Sequence, residues 1–183
     1  MEMKKLFILV LSIWLPSQAF SYENLDSDTV EEVTFEMLLD SNNMIFVAPV
    51  GFIETEPKQN GQMNYEKSYK HPTEKFEVRY AIRKHNFGWY KQMFEMTAKN
   101  ISGGSLPEYT NFGTDAVKRE FNADAGCVIT LIATSEFAQG YKYCLFVYIY
   151  KKGIGDGYVF YMADDNEIIP DLMMPIFHAL KFE

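Results

Sequence analysis

The stretch that most constrains the fold of this chain is residues 141–162, YKYCLFVYIYKKGIGDGYVFYM. Two runs of aromatic and β-branched residues, 143–150 and 158–162, flank the turn sequence KKGIGDG. Such residues favour strands and glycine permits a tight reversal, so the stretch predicts a β-hairpin. Neither run alternates with polar residues, which predicts a sheet that is covered on both faces.

The first 21 residues have the pattern of a secretory signal peptide. Two lysines precede the apolar run at residues 6–15, and Ala19 and Ser21 form a small-residue cleavage site. Cleavage after Ser21 would leave a mature chain of residues 22–183, exported to the periplasm or out of the cell. An uncleaved N-terminal anchor is the alternative, although the apolar run is shorter than a membrane span.

The charge balance argues against a polyanionic partner. The whole chain has a net charge of −8, and removal of Glu2, Lys4 and Lys5 with the signal leaves 15 basic and 24 acidic residues, a net −9. An acidic domain repels phosphate backbones, so we expect no nucleic-acid binding. No later apolar run reaches the length of a transmembrane helix, so we expect no integral membrane association after cleavage.

The mature chain has the length of one domain, and its pattern alternates between helices and strands. Strands are predicted at residues 44–50, 63–70, 75–83, 127–134, 143–150 and 158–162, and helices at 28–40, 86–102, 114–125 and 170–182. Short turns between consecutive strands predict an antiparallel sheet of six strands. Helices before, between and after the strands can cover both faces, so the expected fold is α+β, an α/β/α sandwich at residues 22–183.

Three short stretches connect this element order to a known family. They are FVAPVGF at 46–52, FEVRYAI at 76–82 and EFNADAG at 120–126. In these stretches and in topology the chain resembles the PsbP-like sandwich, shared by photosystem II extrinsic subunits, a nuclear-import factor for the GTPase Ran and small exported bacterial proteins. The resemblance implies a binding or assembly subunit and brings no catalytic residues with it.

One predicted strand and the helix after it supply a candidate binding site. Apolar and charged residues alternate along that strand, which places Arg79 and Arg83 on an exposed face. His85 follows the strand, and Trp89 and Tyr90 come early in the helix. Because Arg, Trp and Tyr dominate binding hot spots, these five residues form the candidate site, with a merely solvated charged face as the alternative.

The two cysteines, Cys127 and Cys144, lie on neighbouring predicted strands. If those strands pair around a turn near residues 138–141, the two cysteines are roughly 20 Å apart along the hairpin. A disulfide requires Cα atoms within about 7 Å of each other. The spacing favours two buried thiols over a bridge, although an exported chain would permit a bridge.

Neither catalytic nor metal-binding motifs stand out. The histidines, His71, His85 and His178, have no ligand spacing, and Ser102 precedes two glycines that mark a helix end instead of a nucleophile elbow. The G-x-G-x-G sequence at 153–157 runs into a strand, whereas a dinucleotide loop runs into a helix. A hairpin turn explains those glycines.

The acidic residues of the segment 164–167 lack the spacing of a calcium loop, so we interpret them as a solvated loop and helix start. No cofactor and no metal are expected. The sequence thus favours a non-catalytic exported domain that binds a protein or a small ligand. An exported hydrolase and an envelope assembly or stress protein are the alternatives.

Overall fold

The computed structural model describes residues 33–84 and 88–183 of the chain. The predicted signal peptide, the start of the first predicted helix and His85 lie outside the described residues. Within the described part, no helix combines the length and the apolar character that a membrane span requires.

Five helices and nine strands make up the described part. The helices are α1 (Phe35–Ser41), α2 (Tyr90–Ser102), α3 (Thr114–Phe121), α4 (Ser135–Ala138) and α5 (Ile169–Met173), with 3-10 turns at Asn166–Ile168 and Met174–Ile176. The strands are β1 (Met44–Phe46), β2 (Ile53–Thr55), β3 (Lys67–Lys70), β4 (Phe76–Arg83), β5 (Thr110–Asn111), β6 (Ala125–Ile132), β7 (Tyr143–Lys151), β8 (Gly155–Ala163) and β9 (Leu180–Phe182).

Seven of these strands form one antiparallel sheet in the order β2-β3-β4-β8-β7-β6-β5, while β1 and β9 pair separately. The α+β class with a large antiparallel sheet is confirmed, but the predicted count of six strands is wrong. Strand β1 was predicted in the main sheet but pairs with β9 instead. The short strands β2 and β5, which were not predicted, form the two edges of the main sheet. An edge strand of two or three residues is too short to show an alternating pattern in the sequence.

The predicted hairpin forms β7 and β8 near the middle of the sheet, paired from Tyr143 opposite Ala163 to Lys151 opposite Gly155. The turn is shorter than predicted, because only residues 152–154 separate the strands, with Gly153 at a φ of 73°. Gly155 lies inside β8, where a Cβ atom would clash with the Asn42 side chain and come within 2.7 Å of the Arg83 carbonyl oxygen. Glycine at this position therefore lets the end of α1 approach the sheet.

Alternate residues of the long strands point to opposite faces of the main sheet, and two separate clusters are buried there. In β4, Val78 and Tyr80 belong to one cluster and Ala81 to the other. Helices contribute to both clusters. The first cluster contains Phe35 of α1, Val117 of α3 and Ile169 of α5. The second contains Phe94 of α2 and Phe137 of α4. Every residue of β8 is buried, so both faces of this central strand are covered.

Helix α1 has a different buried face from the predicted one. Thr34 caps the helix, and its Oγ1 accepts a hydrogen bond from the Met37 backbone N–H at 3.2 Å. The helical spacing of Val30, Val33, Met37 and Leu38 in the sequence predicts the buried face, but Phe35 is buried, Val33 and Met37 are exposed, and Leu38 is the one of the four that packs against the core in the described residues. The cap sets the start of the helix, and the helix start decides which side chains face the sheet.

Helix α2 ends as predicted, whereas α3 ends early. Phe94 and Ile101 are buried, and Gly103 closes α2 in the left-handed conformation. Helix α3 stops at Asn122, also left-handed, and the chain enters β6 at Ala125, so the predicted helix as far as residue 125 is wrong.

The end of the described chain is a strand, whereas the sequence predicted a continuous helix over 170–182. The helical part ends in a 3-10 turn that contains Pro175, which cannot donate a backbone hydrogen bond. In β9, Leu180 and Phe182 are buried and Lys181 between them is half-buried. That alternation has the period of a strand.

Both cysteines are free and buried, as the hairpin geometry predicted. Cys127 lies opposite Tyr148 and Cys144 lies opposite Leu131 in the β6–β7 ladder. Burial raises the pKa of the Cys127 thiol to about 11 and raises that of Cys144 as well. Both groups are therefore protonated thiols at neutral pH, with little nucleophilic character.

Candidate functional site

The structure separates the five predicted site residues. Arg79 is fully buried and Glu77 is 4% exposed, so the prediction that this face of the strand is exposed is wrong. His85 lies outside the described residues. Arg83, Trp89 and Tyr90 remain accessible, in full or in part.

Arg79 is enclosed by partners that neutralise its charge. Its Nε donates to Glu77 Oε1 at 2.6 Å, and its terminal nitrogens donate to the backbone carbonyls of Phe137 and, at 3.4 Å, Ala138. The rings of Tyr65 and Phe137 lie 4.9 and 5.2 Å from the guanidinium carbon. A buried cation requires such partners, so Arg79 holds α4 against the sheet and does not present a binding surface.

Arg83 and Tyr90 lie near one end of the main sheet, and Trp89 precedes Tyr90 in the chain. Asp156 of β8 is opposite Arg83 on β4 and opposite Tyr150 on β7. Tyr150 in turn stacks on Tyr90, at the start of α2. We define the sheet-end site as Arg83, Trp89, Tyr90, Tyr150, Asp156 and Tyr158.

Asp156 is the buried acid of this site, with no accessible surface. Its Oδ2 accepts a hydrogen bond from the Tyr158 hydroxyl at 3.1 Å. Burial, and then the negative charge of Asp156, raise the pKa of both Tyr148 and Tyr158. Both phenols therefore stay protonated at neutral pH, and that of Tyr158 donates its proton to the hydrogen bond with Asp156.

Sequence reasoning missed Asp156 and Tyr150 as members of the site. It placed Asp156 in the hairpin turn, near the acidic loop. The available signal was the alternation along β8, because residues 156, 158 and 160 share one face once the strand is extended back to Gly155.

Arg83 is anchored by the segment before β3. One of its Nη atoms donates to Glu66 Oε1 at 2.6 Å and to the Ile82 carbonyl at 2.6 Å, and the other donates to the Asn64 carbonyl. Burial raises the pKa of Glu66, although the charge of Arg83 opposes the shift. The ion pair fixes Arg83 and leaves its side chain about one-third exposed, at 32%.

The aromatic part of the site combines a rigid pair with an exposed ring. The rings of Tyr90 and Tyr150 are stacked, with centroids 5.3 Å apart and planes inclined by 18°. Trp89 precedes Tyr90 in the chain and is 66% exposed. Tryptophan is usually well buried, so an exposed indole that precedes the ordered Tyr90 in the chain is a candidate contact for a ligand.

The other residues considered for chemistry have structural contacts. His71 Nδ1 accepts from the Glu74 backbone N–H at 3.0 Å, and His178 Nε2 lies 3.1 Å from Glu120 Oε2. Ser102 Oγ donates to the Lys99 carbonyl at 3.3 Å. In the parts of the chain that the structure describes, no three potential metal ligands come together.

The acidic loop before α5 is also accounted for by local contacts. Asp164 pairs with Lys75 at 2.6 Å, and Asp165 Oδ1 accepts from the Glu167 backbone N–H at 2.9 Å, which caps the 3-10 turn. Asp164 therefore holds the loop to the connection between β3 and β4, and Asp165 starts the 3-10 turn.

Comparison of the chain with protein families, with curated proteins and with solved structures finds no match. The geometry of the sheet-end site is therefore the basis for assigning a function.

Proposed function

We propose that this chain is a non-catalytic, exported binding domain whose protein or small-molecule ligand contacts the sheet-end site. The observation that carries the proposal is the exposure of Trp89, at 66%, beside the stacked pair of Tyr90 and Tyr150. Aromatic side chains with few rotatable bonds offer a large contact area at a small entropic cost. Centrally placed Trp, Tyr and Arg residues carry most of the energy of known interfaces.

The contacts of Tyr150 and Arg83 support a preorganised sheet-end site. Tyr150 is held in β7 next to Asp156, and Arg83 is held by Glu66. A ligand at the sheet-end site would therefore meet side chains that are already ordered, and binding would not have to order them.

The protonation states favour binding over catalysis. A general acid or base works best with a pKa near the operating pH. Burial raises the pKa values of Tyr148, Tyr158 and Cys127, which moves them further from neutral pH. Each of these groups thus keeps its proton at neutral pH.

The finer architecture is part of the same proposal. Helices α1, α3 and α5 contribute to one core cluster, and α2 and α4 contribute to the other. This division supports an α/β/α sandwich of the PsbP-like kind that the sequence resembles. The binding and assembly roles implied by that resemblance agree with a non-catalytic domain.

The fluorescence of Trp89 tests the proposal. The chain has two tryptophans, and export with cleavage after Ser21 would remove Trp14 and leave Trp89 as the sole reporter. The protein is purified gently from its host, and quenching by acrylamide is measured before and after unfolding, washing and refolding. We expect Trp89 to be shielded as purified and accessible after the bound material has been removed.

A matched control moves the reporter along the same helix. In a Trp89→Phe/Met96→Trp variant the indole occupies a position on α2 where the native side chain is 51% exposed. Its quenching should be the same before and after the treatment. Equal quenching of Trp89 itself in both states would contradict the proposed site.

A further inference from the structure

Asn60 and Gly61 form the one Asn-Gly pair of the sequence, in the loop between β2 and β3. In such a pair the glycine nitrogen can attack the neighbouring side-chain amide, because glycine has no Cβ atom to hinder the approach. The attack requires a base that takes the nitrogen proton and hydrogen-bond donors for the amide oxygen, on which negative charge develops. The structure places both kinds of group at this loop.

A carboxylate lies next to the Gly61 nitrogen. The Gly61 backbone N–H donates to Glu136 Oε1 at 2.6 Å, a short distance that is typical of a hydrogen bond to a charged acceptor. A Cβ atom at position 61 would lie 2.9 Å from the same oxygen, so a larger residue would displace the carboxylate. Glu136 is exposed on α4, so its carboxylate is in contact with water and can accept a proton.

Two backbone donors hold the amide oxygen of Asn60. Its Oδ1 accepts from the backbone N–H of Gln62 at 3.0 Å and from that of Met63 at 2.8 Å. Its Nδ2 donates to the Met63 carbonyl at 2.9 Å, which fixes the plane of the side-chain amide. Negative charge that develops on Oδ1 during an attack on Cγ would be stabilised by two donors already in place, as in an oxyanion hole.

Contacts with two helices hold the loop in this arrangement. Gln62 Oε1 accepts from the hydroxyl of Thr134, the residue that caps α4, at 2.6 Å. Gln62 Nε2 donates to the Asn100 carbonyl of α2 at 2.8 Å. The base, the donors and the amide are therefore ordered before the reaction begins, which lowers the entropic part of the barrier.

We propose that Asn60 is a site of self-modification, at which the chain forms a succinimide ring and loses the side-chain amide. The Gly61 nitrogen forms a bond to Asn60 Cγ and gives its proton to Glu136. The tetrahedral intermediate collapses, the bond from Cγ to Nδ2 breaks, and Glu136 returns the proton to the departing nitrogen, which leaves as ammonia. Water then opens the ring at either carbonyl carbon, so residue 60 becomes aspartate or isoaspartate without any oxidant or reductant.

The rates of this reaction in the folded and the unfolded chain test the proposal. The purified full chain is incubated near neutral pH, either in buffer or unfolded in guanidinium chloride. Samples are digested at acidic pH and analysed by mass spectrometry over time. The peptide that contains residue 60 should lose the mass of ammonia and then gain that of water. We expect the folded chain to react about tenfold faster or more, because Glu136 and the two donors are in place only there.

Glu136→Gln separates the chemical role of the carboxylate from its structural role. Glutamine keeps an oxygen that can accept from Gly61, but it is not a base at neutral pH. The variant should slow the reaction of the folded chain by about tenfold or more and leave that of the unfolded chain unchanged. Glu108→Gln, which changes another exposed carboxylate, is the matched control and should react like the wild type. Circular dichroism verifies that both variants are folded.

Two results would overturn the proposed modification site. The first is a folded wild-type chain that reacts no faster than the unfolded chain, which would mean that the loop protects the pair. The second is a folded Glu136→Gln variant that reacts as fast as the folded wild type. None of these residues belongs to the sheet-end site, so neither result depends on the function proposed there.

Discussion

Arg79 and Asp156 place opposite charges inside the main sheet, and both have polar partners there. Arg79 is paired with Glu77 at 2.6 Å, and Asp156 accepts from Tyr158 at 3.1 Å. Taking an ion out of water costs several kcal/mol, which partners must offset. The two charges therefore constrain how the segments around them can pack.

Removing Arg79 should destabilise the protein strongly. We predict that Arg79→Ala lowers the free energy of unfolding by about 3–5 kcal/mol, because Glu77 would stay buried after losing its 2.6 Å ion pair and would keep the longer contact with Lys70, at 3.9 Å. Urea unfolding followed by circular dichroism measures the change. Lys75→Ala is the control, since it breaks the exposed pair with Asp164 and should cost at most about 1 kcal/mol. Similar losses in the two variants would contradict the structural role of Arg79.

Gly155 gives a second prediction for a single residue. We expect Gly155→Ala to cost about 1–3 kcal/mol, because the new methyl group would collide with Asn42 and with the Arg83 carbonyl. Gly153→Ala has open space around it and carries only the strain of its positive φ, about 1 kcal/mol. Urea denaturation of the two variants should rank them in this order, and the reverse order would show that α1 does not pack on β8 as described.

At the scale of secondary-structure elements, the strongly periodic segments were predicted from the sequence and the short elements were not. The hairpin of β7 and β8 and the end of α2 at Ser102 follow from residue type and spacing. Strands β2, β5 and β9 have two or three residues each, and their pairing depends on partners distant in the sequence. Local patterns cannot specify such partners, so tertiary packing decides these elements.

The residues of the candidate site also differ in how far the sequence could predict them. Trp89 and Tyr90 were identified from residue type and position, because surface aromatics beside charges are visible in a sequence. The burial of Arg79 was not predictable, because alternating charges look the same on a solvated face and in a buried ion pair. Asp156 was missed because the sequence assigned residues 155–157 to the turn, whereas β8 begins at Gly155, and Tyr150 was missed because its stacking on Tyr90 depends on tertiary packing.

Strand β9 provides a prediction at this scale. Phe182→Ala should cost about 3–5 kcal/mol, because Phe182 is buried in the core opposite Met44. Lys181→Ala should change the free energy of unfolding by no more than about 0.5 kcal/mol, as expected for a partly exposed side chain. Chemical denaturation of both variants checks the alternation, and equal losses would favour a structure other than a strand.

At the scale of the whole molecule, the core is rich in buried tyrosines whose phenols resist ionisation. Burial is the main cause that raises the pKa of Tyr69 to about 12 and raises those of Tyr80 and Tyr161. In the unfolded chain these groups titrate near 10. The unfolded state therefore holds fewer protons than the folded state at alkaline pH.

This difference predicts loss of stability in base. The raised tyrosine pKa values contribute fully to the free energy of unfolding below about pH 10. That contribution declines as the pH rises through the pKa values of the folded state. The free energy of unfolding should fall steeply above about pH 10, and phenolate absorbance should rise together with the loss of the fold. Gradual ionisation of all tyrosines in a protein that remains folded would contradict the description of this core.

Native mass spectrometry of the protein purified from its host tests the central claim most directly. The wild type and the Met96→Ala control should carry an additional mass, from a small molecule or a second protein, and Trp89→Ala should lose it. Such a result would place the ligand at the sheet-end site. A bare wild-type chain, or an added mass that Trp89→Ala retains in full, would contradict the proposed binding function of that site.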